Sequence, residues 1–176
     1  MLKENYCGLA VMRLQPMHMG HIELISRMIR ECRIPVLAIG SAQESRTYGN
    51  PFTFQERYRM VKNFPGMGKL NIIPLNDIFN LGAWARYALD TVEKKMKTKV
   101  SVYYCGADQD GVLFLKEGMK LALMDRKNIS GGNGHLLSAT KIRNWILTGS
   151  DEWKQYVPTL NHKLIMKVYK GERPKI

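Results

Sequence analysis

Short apolar runs alternate along the chain with longer stretches in which apolar residues return every three or four positions. Residues 6–12 (YCGLAVM), 34–39 (IPVLAI), 71–75 (NIIPL), 100–104 (VSVYY) and 120–123 (KLAL) read as five short strands. Between the first two, Ile22, Ile25, Met28, Ile29 and Cys32 keep helical spacing, which predicts a helix beginning near HMGH and ending before Pro35. In PFTFQER, Thr53 and Glu56 form a capping box just after Pro51 and Phe52, so a second helix starts there. Leu81, Trp84, Ala85, Ala88, Leu89, Val92 and Met96 make the stripe of a third. Ser138 or Thr140 caps SATKIRNWILTG, which stops at Gly149, and beyond Pro158 the residues Leu160, Leu164, Ile165 and Val168 give one more apolar face. Strands joined by helices imply an α/β fold: a Rossmann-like, doubly wound parallel sheet of five strands with helices on both faces. The last helices form a C-terminal extension. A ligand crevice is expected at the carboxyl ends of the strands. The whole of 1–176 is expected to form a single domain, with 138–176 as its helical part.

Composition narrows the partners. With 45% hydrophobic and 24% charged residues the chain is of ordinary globular type, and no apolar run approaches the ~18 residues of a membrane span. The N-terminus lacks the apolar core and small-residue cleavage site of a signal peptide, so a cytoplasmic location is expected. Cys7, Cys32 and Cys105 stand far apart without a CxxC spacing, which predicts reduced structural thiols rather than a zinc site or disulfides. A formal charge of +12 favours a polyanionic partner, nucleotide or nucleic acid. No basic stripe interleaved with aromatics is visible, so nucleic acid is not expected.

The strongest local signal is QPMHMGH. His18 and His21 fall at the end of the first strand's loop and in the first turn of the helix after it. Backbone amides and the positive helix end there favour an anion, and two imidazoles three residues apart share a face. Gly20 lets a ligand approach the backbone. HxGH is expected by chance about 0.008 times in a chain of this composition. A helix cap or a partly buried histidine pair is the bland alternative. A metal site is weaker, because no third ligand lies nearby in sequence.

SATKIR is a second candidate anion clamp. It places Lys141 and Arg143 at the start of a helix, where the dipole disfavours cations unless an anion is bound. Ser138 and Thr140 add hydroxyls. Arg143 could equally pair with an acid elsewhere in the fold.

HMGH with SATKIR resembles the HxGH and ISxTxxR pair of the nucleotidylyltransferase superfamily. Within it, QPMHMGH, GSAQESRTYGNPFTFQER (40–57), IIPLNDI before Trp84, and SATKIR resemble, in order, the archaeal-type nicotinamide mononucleotide adenylyltransferases. The likeness covers nearly the whole chain. It implies that His18, His21 and Arg13 serve the ATP phosphates and that Arg143 holds the β and γ phosphates. It also places Gln15, Gly20, Ser138, Thr140 and Lys141 around ATP. Gly40, Ser41, Gln43, Asn50, Pro51, Phe52, Asp77 and Trp84 then lie around the nicotinamide nucleotide, with Trp84 stacking on its ring. By pattern alone Trp84 is as readily a core residue of the third helix. This chain departs from the family at Met12 for a glycine, Met17 for an aromatic and Ala139 for glycine or serine, and CGADQD lacks the usual asparagine.

The reaction implied is adenylyl transfer from ATP to nicotinamide mononucleotide, giving NAD and pyrophosphate, with Mg2+ accompanying the phosphates and no protein nucleophile. The metal ligands cannot be read from the sequence. The resemblance also implies a homo-oligomer, as the archaeal relatives are hexamers. Transfer to nicotinate mononucleotide, phosphopantetheine or glycerol phosphate is the near alternative. An inactive nucleotide-binding relative, or a basic nucleic-acid-binding one, is the second. KMKTK (95–99) mimics the KMSKS loop of class I tRNA synthetases, but it ends an amphipathic helix before a strand.

Overall fold

The computed structural model describes residues 5–106, 108–124 and 137–171. Five strands, β1 (Asn5–Met12), β2 (Cys32–Ile39), β3 (Asn71–Pro74), β4 (Val102–Cys105) and β5 (Lys120–Leu123), form one parallel sheet in the order β3-β2-β1-β4-β5. Among the described residues six α-helices accompany them: α1 (Met19–Glu31), α2 (Phe54–Lys62), α3 (Leu81–Met96), α4 (Asp108–Lys116), α5 (Ala139–Leu147) and α6 (Thr159–Gly171). The chain runs outward from β1 to β3, then returns to the other side of β1 for β4 and β5. The strand order therefore reverses between β1 and β4, and the crevice of such a sheet opens at the carboxyl ends there.

Alternation along the strands divides the core between the two faces. Ala10, Leu37 and Ile39 pack with Ile25 and Met28 of α1, Met60 and Val61 of α2, Ile142 of α5 and Ile165 of α6. Cys7, Leu9, Val36 and Ala38 pack instead with Ala85, Ala88, Leu89 and Val92 of α3 and Phe114 of α4. Both faces are covered, which is why the central strands read as continuous apolar runs. Gly8 is required by close approach: a Cβ there would lie 2.3 Å from Cys32 Sγ and 2.9 Å from the Tyr104 ring.

The strand and helix assignments match the pattern, with local differences that have physical causes. β2 starts at Cys32, directly after α1, because Cys32 is extended and pairs opposite Asn5. Pro35 is tolerated in this central strand because β3 pairs only from Val36 onward. β4 starts two residues later than the apolar run, at Val102. Before it, Ser101 replaces regular pairing: its amide and its hydroxyl both donate to Cys7 O, and its Oγ accepts from Cys7 N. Leu81 was expected on the buried stripe of α3 but is 75% exposed at the first residue of the helix. Leu160 likewise belongs to solvent, at 59% exposure, while Ile165 and Val168 of α6 are buried. Ala107 in CGADQD and residues 172–176 of the tail lie outside the described residues.

Candidate active site

The loop after β1 is held from three directions. Leu14 is buried in a left-handed conformation (φ 55°), and the Gln15–Pro16 peptide is cis. The Gln15 carboxamide is 1% exposed and closes a two-bond ring with the Phe52 backbone: Nε2 donates to Phe52 O at 3.0 Å, and Phe52 N donates to Oε1 at 2.9 Å. A side chain expected at ATP thus joins the first loop to the second. Arg13, in contrast, is exposed. Met17 fills a fully buried core position, and Met12 is half-buried against the same core.

His18 is the N-cap of α1, extended and 7% exposed. Its amide donates to Nδ1 of His21 at 3.2 Å, and the two rings stack with centroids 3.7 Å apart. An Nδ1 that accepts carries no proton, so the ring hydrogen of His21 lies on Nε2, a donor. The amide of Met19 is spent on Tyr156 O at 2.9 Å, which ties the start of α1 to the C-terminal part of the chain.

The segment 40–57 folds around two arginines that pattern reading did not single out. Arg46 makes a two-bond fork with Glu56 at 2.7 and 2.8 Å and also donates to Pro51 O. Thr53 and Glu56 form the expected capping box, each side chain accepting from the other's amide. Burial pushes the Glu56 carboxyl up, but the Arg46 fork and the Thr53 amide outweigh it and hold the group below its ordinary value. Arg57 has no solvent exposure at all. Its guanidinium donates to the carbonyls of Arg13 (2.9 Å), Gly40 (2.6 Å), Ser41 (2.9 Å) and Thr53 (3.3 Å). Ser41 is buried with φ 48°, a conformation this clamp supports. Asn50 donates its amide to Thr47 Oγ1, closing a small turn ahead of Pro51.

On the C-terminal side Ser138 caps α5, its Oγ accepting from the Lys141 amide at 3.2 Å. Lys141 lies in the first turn as expected. Arg143 is the fifth helical residue, beyond that turn, and points back into the fold with 4% exposure. One arm of its guanidinium donates to Gln15 O at 2.8 Å and another to Thr140 Oγ1 at 3.0 Å. The Tyr48 ring covers it at 5.4 Å, and the Tyr48 hydroxyl bonds Asn144 Oδ1. Burial lowers the Arg143 pKa. Lys141 sits 4.8 Å over the Trp145 ring, which stacks on Tyr156.

At the end of β3, Ala42 N donates to Leu75 O, and Asp77 N to Gln43 Oε1 at 3.1 Å. The exposed Asp77 and Gln43 therefore lie side by side. Trp84 is half-buried on α3, edge-on to Phe114 of α4 at 5.7 Å. It is part of the second-face core and is not bonded to the residues above. Hydrogen bonds thus link Arg13, Gln15, Gly40, Ser41, Phe52, Thr140 and Arg143 in one frame beside His18 and His21. Among the described residues no group of three or more His, Cys, Asp or Glu could hold a metal ion.

Fold and frame define the class: an open α/β sheet with a histidine pair at the start of α1 and buried and exposed cations on the loop after β1, on α2 and on α5. A family model described as cytidylyltransferase-like matches residues 13–145. The nicotinamide-nucleotide adenylyltransferase of Thermococcus kodakarensis is 32% identical, covering 96% of this chain and 87% of its own length. That of Pyrococcus abyssi is 33% identical, covering 94% and 86%. The chain belongs to the cytidylyltransferase-like family and, within it, to the nicotinamide-nucleotide adenylyltransferase family. Among solved structures, a bifunctional NMN adenylyltransferase/ADP ribose pyrophosphatase from Francisella tularensis superposes with a TM-score of 0.75 at 21% identity, over 94% of this chain and 52% of that one. The chain thus spans about half the length of the bifunctional protein. Plasmodium falciparum nicotinic acid mononucleotide adenylyltransferase gives a TM-score of 0.65 at 12% identity, over 93% and 96%. At these identities the two structures speak for the fold alone.

Proposed function

We propose that this chain transfers AMP from ATP to nicotinamide mononucleotide, forming NAD and pyrophosphate. The observation that carries the reading is the gathering of Arg13, His18, His21 and Arg143 about residues 13–21, in a chain whose curated relatives bear that name. An oxygen of the mononucleotide's phosphate attacks the α-phosphorus of ATP. The bond from that phosphorus to the bridging oxygen breaks, and its electron pair leaves on pyrophosphate. Because a phosphate monoester has its second pKa near ~6, the attacking oxygen is already anionic at neutral pH and no general base is needed.

What the protein supplies is position and charge. His21, donating from Nε2, and His18 beside it take up charge on the transferring and leaving phosphates. Arg13 approaches from the solvent side. Arg143, with Lys141, Ser138 and Thr140, closes over the far end of the triphosphate, while Gly20 leaves room at the helix start. Gln15 keeps the first loop against Phe52 and acts through that loop. On the side of the nicotinamide nucleotide, the exposed Gln43 and Asp77 and the half-buried Asn50 and Trp84 are the side chains able to meet it, while the buried Gly40, Ser41, Pro51 and Phe52 shape their loop from inside. Mg2+ arrives as part of the MgATP substrate, bound chiefly through phosphate and water.

Residues 1–176 work as one nucleotidylyltransferase domain, with 138–176 its helical part. A cytoplasmic location fits three buried free cysteines and the lack, among the described residues, of a helix able to cross a membrane. Homo-oligomer formation belongs to the same reading, and the exposed Leu147 and Leu160 suit it. The test is pyrophosphate release from MgATP with nicotinamide mononucleotide, against nicotinate mononucleotide and phosphopantetheine. Turnover that prefers the nicotinamide nucleotide and collapses in His21→Ala is expected. Equal turnover with phosphopantetheine would assign a different acceptor.

A further inference from the structure

Arg57 is fully buried, yet each of its hydrogen bonds goes to a backbone carbonyl. Buried guanidinium groups are normally neutralised by a carboxylate, because an uncompensated buried charge is costly. Here Asp77 and Glu56 favour the charge only through space, against burial and the neighbouring Arg13, and neither bonds it. Both oxygens of Glu56 are taken by Arg46 and the Thr53 amide. Asp77 is exposed, and among the described residues no ion pair joins either acid to Arg57. Arg143, the other buried arginine, is also bonded only to a carbonyl and a hydroxyl. Two buried cations without a bonded counter-charge therefore hold the loop after β1, Arg57 through Arg13 O and Arg143 through Gln15 O.

The carbonyls that Arg57 holds explain its place. Arg13 begins the loop after β1, and Gly40 and Ser41 begin the loop after β2. One guanidinium thus fixes the spacing of the loops after β1 and β2 from inside the fold, where it has no exposed surface to meet a ligand. Resting on the adenylyl-transfer reading, we propose that Arg57 is a positioning residue for that reaction. It sets Arg13 and the Gly40–Ser41 turn for the two phosphate-bearing substrates, and its buried charge adds through space to the attraction for the triphosphate. Burial depresses its basicity, but a group that titrates near about 10 remains charged at neutral pH.

The two parts of this role separate in variants. Arg57→Met removes charge and fork; Arg57→Lys keeps a charge but cannot reach four carbonyls at once. Folding is checked by circular dichroism and a cooperative melt, with Arg59→Met, exposed on the same helix, as the control for helix effects. Inorganic tripolyphosphate is the binding probe, followed by calorimetry at several salt concentrations, and kcat and KM are measured for both substrates. In folded Arg57→Met, tripolyphosphate affinity should fall by about 10-fold or more and kcat by about 100-fold. Arg57→Lys should bind tripolyphosphate within roughly 3-fold of wild type while kcat falls by about 10-fold with little change in KM.

A purely structural arginine would lower the melting temperature in both variants and leave affinity and kcat per folded molecule unchanged; that outcome overturns the proposal. Should Arg57→Met fail to fold, wild-type kcat in folded Arg57→Lys overturns it by itself, and the expected split supports it. Absence of turnover in wild type with every acceptor would defeat the adenylyl-transfer reading, while tripolyphosphate affinity would still decide whether Arg57 serves the anion site.

Discussion

The amide of His18 donates to Nδ1 of His21 across 3.2 Å, and this bond fixes which nitrogen of His21 can face a phosphate. With Nδ1 occupied as an acceptor, the remaining nitrogen donates. His21→Gln keeps a donor near the Nε2 position, whereas His21→Ala removes it. Steady-state kinetics should show kcat down by about 10²–10³-fold in His21→Ala, the order expected for loss of one preorganised donor. His21→Gln should recover part of that loss. Equal activity of both variants and wild type would remove His21 from the phosphate site.

The Gln15 carboxamide and the Phe52 backbone form a buried pair of hydrogen bonds. Gln15→Ala leaves the Phe52 amide and carbonyl without those partners inside the fold, at a cost of about 1–3 kcal/mol each, somewhat relieved by relaxation. Urea unfolding should therefore show a clear loss of stability. Gln15→Glu should be worse than Gln15→Ala at neutral pH, since a carboxylate cannot donate to Phe52 O and is buried there.

Much of this frame is legible in sequence and part is not, for reasons visible at particular residues. The strands βαβ periodicity announces are found because each is an apolar run bounded by a break, and β5 coincides with the KLAL run. Thr53 and Glu56 are read correctly because a capping box is a local device. Arg57 is not, since three of its four acceptors lie on two other segments of the chain, the loops after β1 and β2. A signal was nevertheless present: Arg57, Met60 and Val61 share one face of α2 by helical spacing and all are buried. A charged residue on an apolar stripe marks a group with business in the interior. Leu81 and Leu160 err the other way. Each continues an apolar pattern, but each lies in the first turn of its helix and is exposed.

Three glutamates tie stability to pH. Glu31, Glu56 and Glu93 each have a folded carboxyl held below the ordinary 4.5: burial opposes this, and bonds from Arg27 and Tyr104, from Arg46 and Thr53, and from Lys99 and Val100 prevail. The unfolded chain binds protons more readily at these groups, so their stabilisation is full above pH 4.5 and fades as pH falls through the lowered values. Urea midpoints should hold steady from pH 7 to about 5 and decline below that. Glu56→Gln should be less stable than wild type at pH 7, with the gap narrowing on the acid side. A gap independent of pH would mean that the Arg46 fork adds nothing beyond shape.

Tyr48 bridges the second loop to α5, its ring over the Arg143 guanidinium at 5.4 Å and its hydroxyl on Asn144. The two contacts have separate consequences. A ring over a partly desolvated cation contributes about 0.5–2 kcal/mol, and it also restricts where Arg143 can swing when it meets a phosphate. The hydroxyl bond is exposed and so adds little. Tyr48→Phe should retain ATP affinity close to that of wild type. Tyr48→Ala should weaken it by roughly 2–30-fold, the ratio that such a ring contact corresponds to. Calorimetric titration with ATP checks both. If Tyr48→Phe lost as much as Tyr48→Ala, docking of the loop through Asn144 would be the governing contact, and Asn144→Ala should then reproduce the defect.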